Sequence, residues 1–249
     1  MTDGPYRCVA RVATGLFRAL DLRIDVVGGQ HVPATGGGVV VINHTGFLDF
    51  ALAGLPFWRE QGRFVRFMAK QEVFTHRMMG PAMRAMHHIP VDRAAGAASF
   101  RAAVEALRAG ELVGIFPEAT ISRSFCLKEF KSGATRMARL AGVPLIPVTL
   151  WGSQRVWTKD RRPTIRAARH VPIGITIGAP LQPGRGPAAD VELVKVMDGL
   201  LDETRARYPE APGDDPWWVP AHLGGTAPTP ERAAELDARE QLERSQRSH

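Results

Sequence analysis

Apolar residues recur along this chain in two periods, and the way the periods alternate predicts the fold. The run Val39-Val40-Val41-Ile42 places four β-branched residues behind a glycine cluster, which predicts a buried strand. Further short apolar runs predict strands at 64–69, 88–91, 112–116, 144–151 and 171–177, and apolar–polar alternation predicts another at 22–27. Helical spacing appears between them, at 49–59, 78–87, 97–109, 132–141 and 189–208, with Gly110 and Gly142 placed to cap two of these helices. Strands alternating with helices predict an α/β fold: a single domain over 22–208 with a mixed, mostly parallel sheet flanked by helices. Gly36-Gly37-Gly38 precedes a strand instead of joining strand to helix, so these are turn residues and not a phosphate loop.

Two segments flank that domain. In 1–21, Val9, Val12, Leu16 and Leu20 share one stripe with Arg7, Arg11 and Arg18 off it, the pattern of a basic amphipathic helix. Docking on the domain and lying in a membrane interface are both open to it. After Tyr208, in 209–249, composition shifts to Pro, Gly, Asp and Glu; Trp217-Trp218 is expected to pack back on the body, and 230–245 reads as a charged helix. Met68, Met78, Met79, Met83 and Met86 suit ordinary core packing, and a groove for an acyl chain would want the same residues. No apolar run approaches the roughly 20 residues that span a bilayer, and the start of the chain lacks a secretory pattern. A protein that is not integral, but free to lie on a membrane, is expected.

Charge narrows the partners. The 32 basic residues against 25 acidic ones give +7, but 209–249 holds eight acids and four arginines, so that tail carries −4 and the rest +11. A body that basic expects phosphate-bearing partners. Within 155–170, Arg155, Lys159, Arg161, Arg162, Arg166 and Arg169 face a single Asp160, with Trp157 among them, which suits lipid headgroups or the phosphates of coenzyme A. Nucleic acid is the rival, and no zinc finger, RRM-like aromatic pattern or helix-turn-helix supports it. Cys8 and Cys126 form neither a disulfide framework nor a zinc cluster, so reduced surroundings and no metal are expected.

The reactive residue types stand at predicted strand ends. His44 directly follows the central strand, on the edge where open α/β sheets bind ligands. Asp49, five residues on, can reach His44 only if the histidine stays on the turn and the acid lies in the first turn of the next helix. A carboxylate on one imidazole nitrogen fixes the tautomer and leaves the other nitrogen basic. Taken alone, the pair also fits a surface histidine and a helix-start acid. Three more segments shift that balance: Arg93 and Glu118 each follow a strand, and Lys131-Ser132 opens a helix with a cation, a hydroxyl and free amides. Gly-x-Ser-x-Gly is missing and Cys126 has no base near it in sequence, which disfavours a serine or thiol hydrolase.

In this order and spacing, Asn43-His44-Thr45-Gly46-Phe47-Leu48-Asp49, Ile89-Pro90-Val91-Asp92-Arg93, Phe116-Pro117-Glu118-Ala119-Thr120 and Val143-Pro144-Leu145-Ile146-Pro147-Val148 resemble the PlsC-like glycerolipid acyltransferases, typified by 1-acylglycerol-3-phosphate acyltransferases. The resemblance covers about residues 20–200. It implies an enzyme, peripheral on the cytoplasmic face of the membrane, that moves a fatty acyl group from acyl-CoA or acyl carrier protein to the hydroxyl of a lysophospholipid, with no cofactor. It implies His44 as the base and Asp49 as its orienting acid, with Asn43, Lys70, Arg93, Glu118, Thr120, Arg123, Lys131 and Ser132 expected at the substrate. One departure stands out. Ala119 and Ile121 replace the glycine and arginine usual in the third block, so Arg123, Lys128 or Lys131 would have to take over a phosphate contact. Alternatives follow: an acceptor without a terminal phosphate, such as a lyso-ornithine lipid or glycolipid, or a non-catalytic basic protein that binds lipid or nucleic acid.

Overall fold

The run Val39 to Ile42 lies at the centre of the sheet, where residues with no polar side chain belong. The computed structural model describes residues 3–92 and 96–247. Its first half runs α1 (Gly4–Ala19), β1 (Arg23–Val27), β2 (Gly38–Ile42), α2 (Asp49–Gln61), β3 (Val65–Lys70), α3 (Gln71–Thr75), α4 (Met79–Ala85) and β4 (Ile89–Val91). The second half runs α5 (Gly96–Arg108), β5 (Leu112–Ile115), α6 (Gly133–Ala141), β6 (Leu145–Trp151), α7 (Ser153–Val156), α8 (Ile165–Ala168), β7 (Pro172–Ile177), α9 (Pro187–Ala206) and α10 (Pro230–Arg247). The strands pair in the order β1-β7-β6-β2-β5-β3-β4, parallel except where β6 meets β7. Parallel strands covered on both faces explain why β2, β6 and β7 read as continuous apolar runs.

Successive side chains of β2 point to opposite faces. Val40 and Ile42 enter a core with Phe17 of α1 and Leu52, Leu55 and Phe57 of α2. Val39 and Val41 enter the other, with Val104 and Leu107 of α5, Met137 of α6 and Leu193 and Met197 of α9. Each such fully buried side chain contributes about 1.5–3 kcal/mol. A polar residue at any of the four would uncouple the helical layers from the sheet. The parallel order brings the C-terminal ends of β2, β3 and β5 together on one edge, and the loops leaving that edge carry the site.

Several expectations change in detail. In α1 the buried side is Thr14 and Phe17, with Tyr6, Ala10 and Ala13 partly buried, while Val12 and Leu16 are 68% and 50% exposed. The helix carries two apolar stripes, and the aromatic one docks because it buries more area. Of the methionines, Met83 and Met86 pack with Phe74, whereas Met78 is 80% exposed. The basic stretch 155–170 is not one solvated loop: it takes in the end of α7 and all of α8, and Arg155 turns inward over Trp218 and onto Glu210. Trp217 and Trp218 do fold back, joining Phe125, Trp151 and Leu201. Among the described residues no helix is long and apolar enough to cross a membrane.

Candidate active site

The turn after β2 is built around one oxygen. Asp49 is fully buried at the first position of α2, and its Oδ2 accepts hydrogen bonds from Thr45 N–H at 2.7 Å, Gly46 N–H at 2.8 Å and His44 Nδ1 at 2.9 Å. A carboxylate only accepts, so Nδ1 carries a proton, and in the neutral ring it is Nε2 that holds the lone pair. The Asp49 Oδ1 is buried without a partner among the described residues. One face of the His44 ring stacks on Phe116 with centroids 4.0 Å apart, and the side chain remains 20% exposed. Nδ1 is turned inward onto Asp49 and one face is covered, and no hydrogen bond engages Nε2 among the described residues. Phe116 stacks in turn on Phe67, whose ring fits over Gly114, where a Cβ would lie 2.8 Å from it. Gly46 is needed for a similar reason: a Cβ there would sit 3.0 Å from the Ser153 and Trp157 carbonyl oxygens.

Glu118 ties the loop after β5 to this turn. Its Oε1 accepts from His44 N–H at 2.8 Å and its Oε2 from Lys128 N–H at 3.2 Å, while Ser122 N–H donates to His44 O at 2.7 Å. Both carboxyl oxygens are therefore engaged by backbone, and the residue fixes the position of His44. Burial pushes the Glu118 carboxyl up from 4.5 to about 8, against the pull of the two amides. Between those values the folded protein holds a proton that the unfolded chain has released, so stability falls as pH rises through that window. Burial lowers His88 to about 3, which acts in the opposite direction below 6.5. The window from 6.5 to 8 is thus left to Glu118. Across it the protein should lose on the order of 2 kcal/mol that Glu118→Gln does not lose. Urea unfolding midpoints of both proteins at the two ends of that window check this; equal slopes would remove the assignment.

The remaining residues divide. Asn43 is buried and completes the β2–β6 ladder, donating to Leu150 O at 3.1 Å and accepting from Leu150 N–H at 2.7 Å. Lys70 ends β3 in register with Val91, the last residue of β4. Arg93 lies outside the described residues. Ala119 takes a left-handed φ of 59°, the conformation for which glycine is the usual residue. Ile121 is buried, so the position where the family usually has arginine faces the interior. Arg123 is 7% exposed and wrapped by Asp160, Asp237 and Glu240. Thr120 Oγ1 accepts from Lys159 Nζ at 3.0 Å. Lys131 and Ser132 are exposed at the start of α6, and the Ser132 hydroxyl does not cap it. A separate hollow of about 750 Å³ opens between α3, α4 and β4, walled by His76, Arg77, Arg84 and His87, and does not include His44.

Sequence reasoning passed over Phe116 as a ring partner and Thr158, which donates to Thr45 O at 2.7 Å. It also passed over the two acids of α10. Only Phe116 left a trace in sequence, as the apolar residue ending the strand before Glu118.

Fold and site together define an α/β protein with a carboxylate-held histidine at the C-terminal edge of a mostly parallel sheet. The chain belongs to the acyltransferase family: the sequence model of the Acyltransferase family matches residues 23–151, just over half of it. It is 32% identical over 143 residues to a 1-acyl-sn-glycerol-3-phosphate acyltransferase of Bacillus subtilis, covering 56% of this chain and 69% of the relative. To the chloroplastic 1-acyl-sn-glycerol-3-phosphate acyltransferase BAT2 of Brassica napus it is 27% identical over 194 residues, 76% of this chain and 51% of that one. The match thus spans about half the length of the plant relative. The crystal structure of the 1-acyl-sn-glycerophosphate acyltransferase PlsC from Thermotoga maritima superposes with a TM-score of 0.67, covering 82% of this chain and 81% of that one. At 22% identity this likeness speaks for the fold alone.

Proposed function

We propose that the protein transfers a fatty acyl group from a thioester, on coenzyme A or acyl carrier protein, to the free hydroxyl of a lysophospholipid, 1-acylglycerol-3-phosphate first among them. The observation that carries this reading is the His44–Asp49 pair, with Nε2 unbonded and, among the described residues, no nucleophilic hydroxyl or thiol bonded to the ring. A thioester is already activated, so the acceptor oxygen can attack its carbonyl directly. Nε2 takes the hydroxyl proton, the C–O bond forms, the C–S bond breaks, and the proton leaves on the thiol. No cofactor or covalent enzyme intermediate is required. The names of the relatives support the phosphate-bearing acceptor. Mass spectrometry of products from a panel of lysolipids with palmitoyl- and oleoyl-CoA tests it; free thiol released without any acylated lipid would count against it.

The same reading places the protein on the cytoplasmic face of the membrane. Val12 and Leu16 of α1 stand outward among the exposed Arg7, Arg11 and Arg18. The end of α1 adjoins the basic stretch, where His170 N–H donates to Leu20 O and Ile165 is 76% exposed beside Arg162, Arg166 and Arg169. Phe47, on the His44 turn, packs against Trp157 at 4.8 Å with both rings about 40% exposed. Cations near an anionic bilayer contribute about 1 kcal/mol each, screened by salt. Sedimentation with vesicles should rise with anionic lipid and fall with salt, and Val12→Glu with Leu16→Glu should weaken it several-fold. Equal binding to neutral vesicles at every salt concentration would remove the electrostatic part.

A further inference from the structure

The C-terminal helix α10 meets the body along one narrow seam. Ala233 and Asp237 are buried and Leu236 and Glu240 partly so, while the residues described after Glu240 are exposed, Leu242 at 63%. The seam therefore offers one alanine and one leucine of apolar area for an 18-residue helix. Such a helix is held by charge.

The charge it meets is concentrated. Asp237 accepts from Arg123 Nη1, from Lys159 Nζ at 3.0 Å and from Lys128 Nζ at 2.6 Å. Glu240 accepts from Lys159 Nζ at 2.9 Å and from Arg123 Nη2 at 3.1 Å. Three cations thus close on two carboxylates carried by a single helical turn, while Asp160, outside α10, takes the Nε side of the Arg123 fork, whose two Nη groups both reach the helix. That donor set also fits a phosphate monoester, whose charge of about −1.5 to −2 matches the pair it would replace. The cluster stands on the two loops that bracket His44. Lys159 follows Thr158, which bonds Thr45 O, and Arg123 follows Ser122, which bonds His44 O.

We infer that Arg123, Lys128 and Lys159 form a phosphate-monoester site beside His44, which Asp237 and Glu240 of α10 occupy in the free protein, so that α10 competes with phosphate-bearing substrate. The identity of that substrate rests on the acyl-transfer reading; the competition does not. A carboxylate pair tethered to the chain holds the site at low phosphate, and a surface dense in headgroups displaces it by mass action.

Hydrogen exchange on the full-length protein at constant ionic strength tests this with sn-glycerol 3-phosphate and with coenzyme A, against chloride and dephospho-coenzyme A. Amides of 231–243 should exchange about tenfold faster with a monoester present. Release by glycerol 3-phosphate assigns the site to the acceptor headgroup; release by coenzyme A alone assigns it to the donor. Protection unchanged by either overturns the inference, even if the protein proves to be an active acyltransferase. In the full chain, Asp237→Asn with Glu240→Gln should lower the apparent KM for the phosphate-bearing substrate about 3- to 10-fold at unchanged kcat. A folded double variant with wild-type or higher KM would make α10 a strut and overturn it as well. Should that variant not fold, exchange in the wild-type chain decides. A protein inactive on every lysolipid would end the acyl-transfer reading and leave the exchange result standing.

Discussion

Replacing His44 with alanine is expected to lower acyl transfer by about 10²- to 10⁴-fold, the usual contribution of a positioned general base. The geometry makes the test clean. Among the described residues the side chain of His44 makes one hydrogen bond, to Asp49, and one ring contact, with Phe116, while the backbone links from its N–H to Glu118 and from Ser122 to its carbonyl survive the substitution. Asp49 Oδ2 still accepts from the Thr45 and Gly46 amides, so no buried carboxylate is stranded. The cost to stability should stay near 1 kcal/mol. Initial rates of thiol release from palmitoyl-CoA, with a lysolipid acceptor and with melting curves beside them, check both halves. A folded His44→Ala protein working at near wild-type rate would remove His44 as the base. Residual activity would report positioning of the two substrates alone.

Much of this site could be read in advance because its parts are local. The strand Val39–Ile42 announces itself by β-branched residues, and a five-residue span to Asp49 leaves one way for the pair to meet, the one observed. The sheet was legible for the same reason: each strand is a short apolar run or, in β1, an apolar–polar alternation, bounded by turn residues. Contacts between distant segments left no such signal. Glu118 looks in sequence like an acid available to substrate, and only the fold shows both its oxygens held by the amides of His44 and Lys128. Arg123 and Lys159 look like free cations, yet they meet carboxylates more than 75 residues away. The acids of α10 are spaced like any solvated helical face, and what selects Asp237 and Glu240 is the body they meet. The five-residue α3 is too short to show a period at all.

Asp49→Asn should separate two things that an alanine would confuse. Three N–H donors converge on Oδ2, and none reaches Oδ1, so an asparagine has one tolerable orientation: its carbonyl oxygen at the Oδ2 position and its amide group where Oδ1 lay. The reverse orientation would press an N–H₂ against three other donors. In the tolerated orientation His44 Nδ1 still donates, the tautomer is kept, and Nε2 keeps its lone pair. What disappears is the negative charge that stabilises the imidazolium formed when Nε2 takes the acceptor's proton. At a few ångströms and an effective dielectric near 20, that charge is worth up to about 4 kcal/mol, so a rate loss of about 10- to 10³-fold is expected. The new amide N–H₂ replaces an unpartnered buried oxygen and lowers stability by about 1–3 kcal/mol. Asp49→Ala leaves the two turn amides and Nδ1 without an acceptor, so it should melt lower still and lose activity to the level of His44→Ala. Rates and melting temperatures of the three variants together decide between the roles. Wild-type turnover in a folded Asp49→Asn protein would show that orientation, not charge, is what Asp49 supplies. Turnover as low as in His44→Ala would show that the amide fails to hold the ring, and that the convergence on Oδ2 does not dictate its orientation.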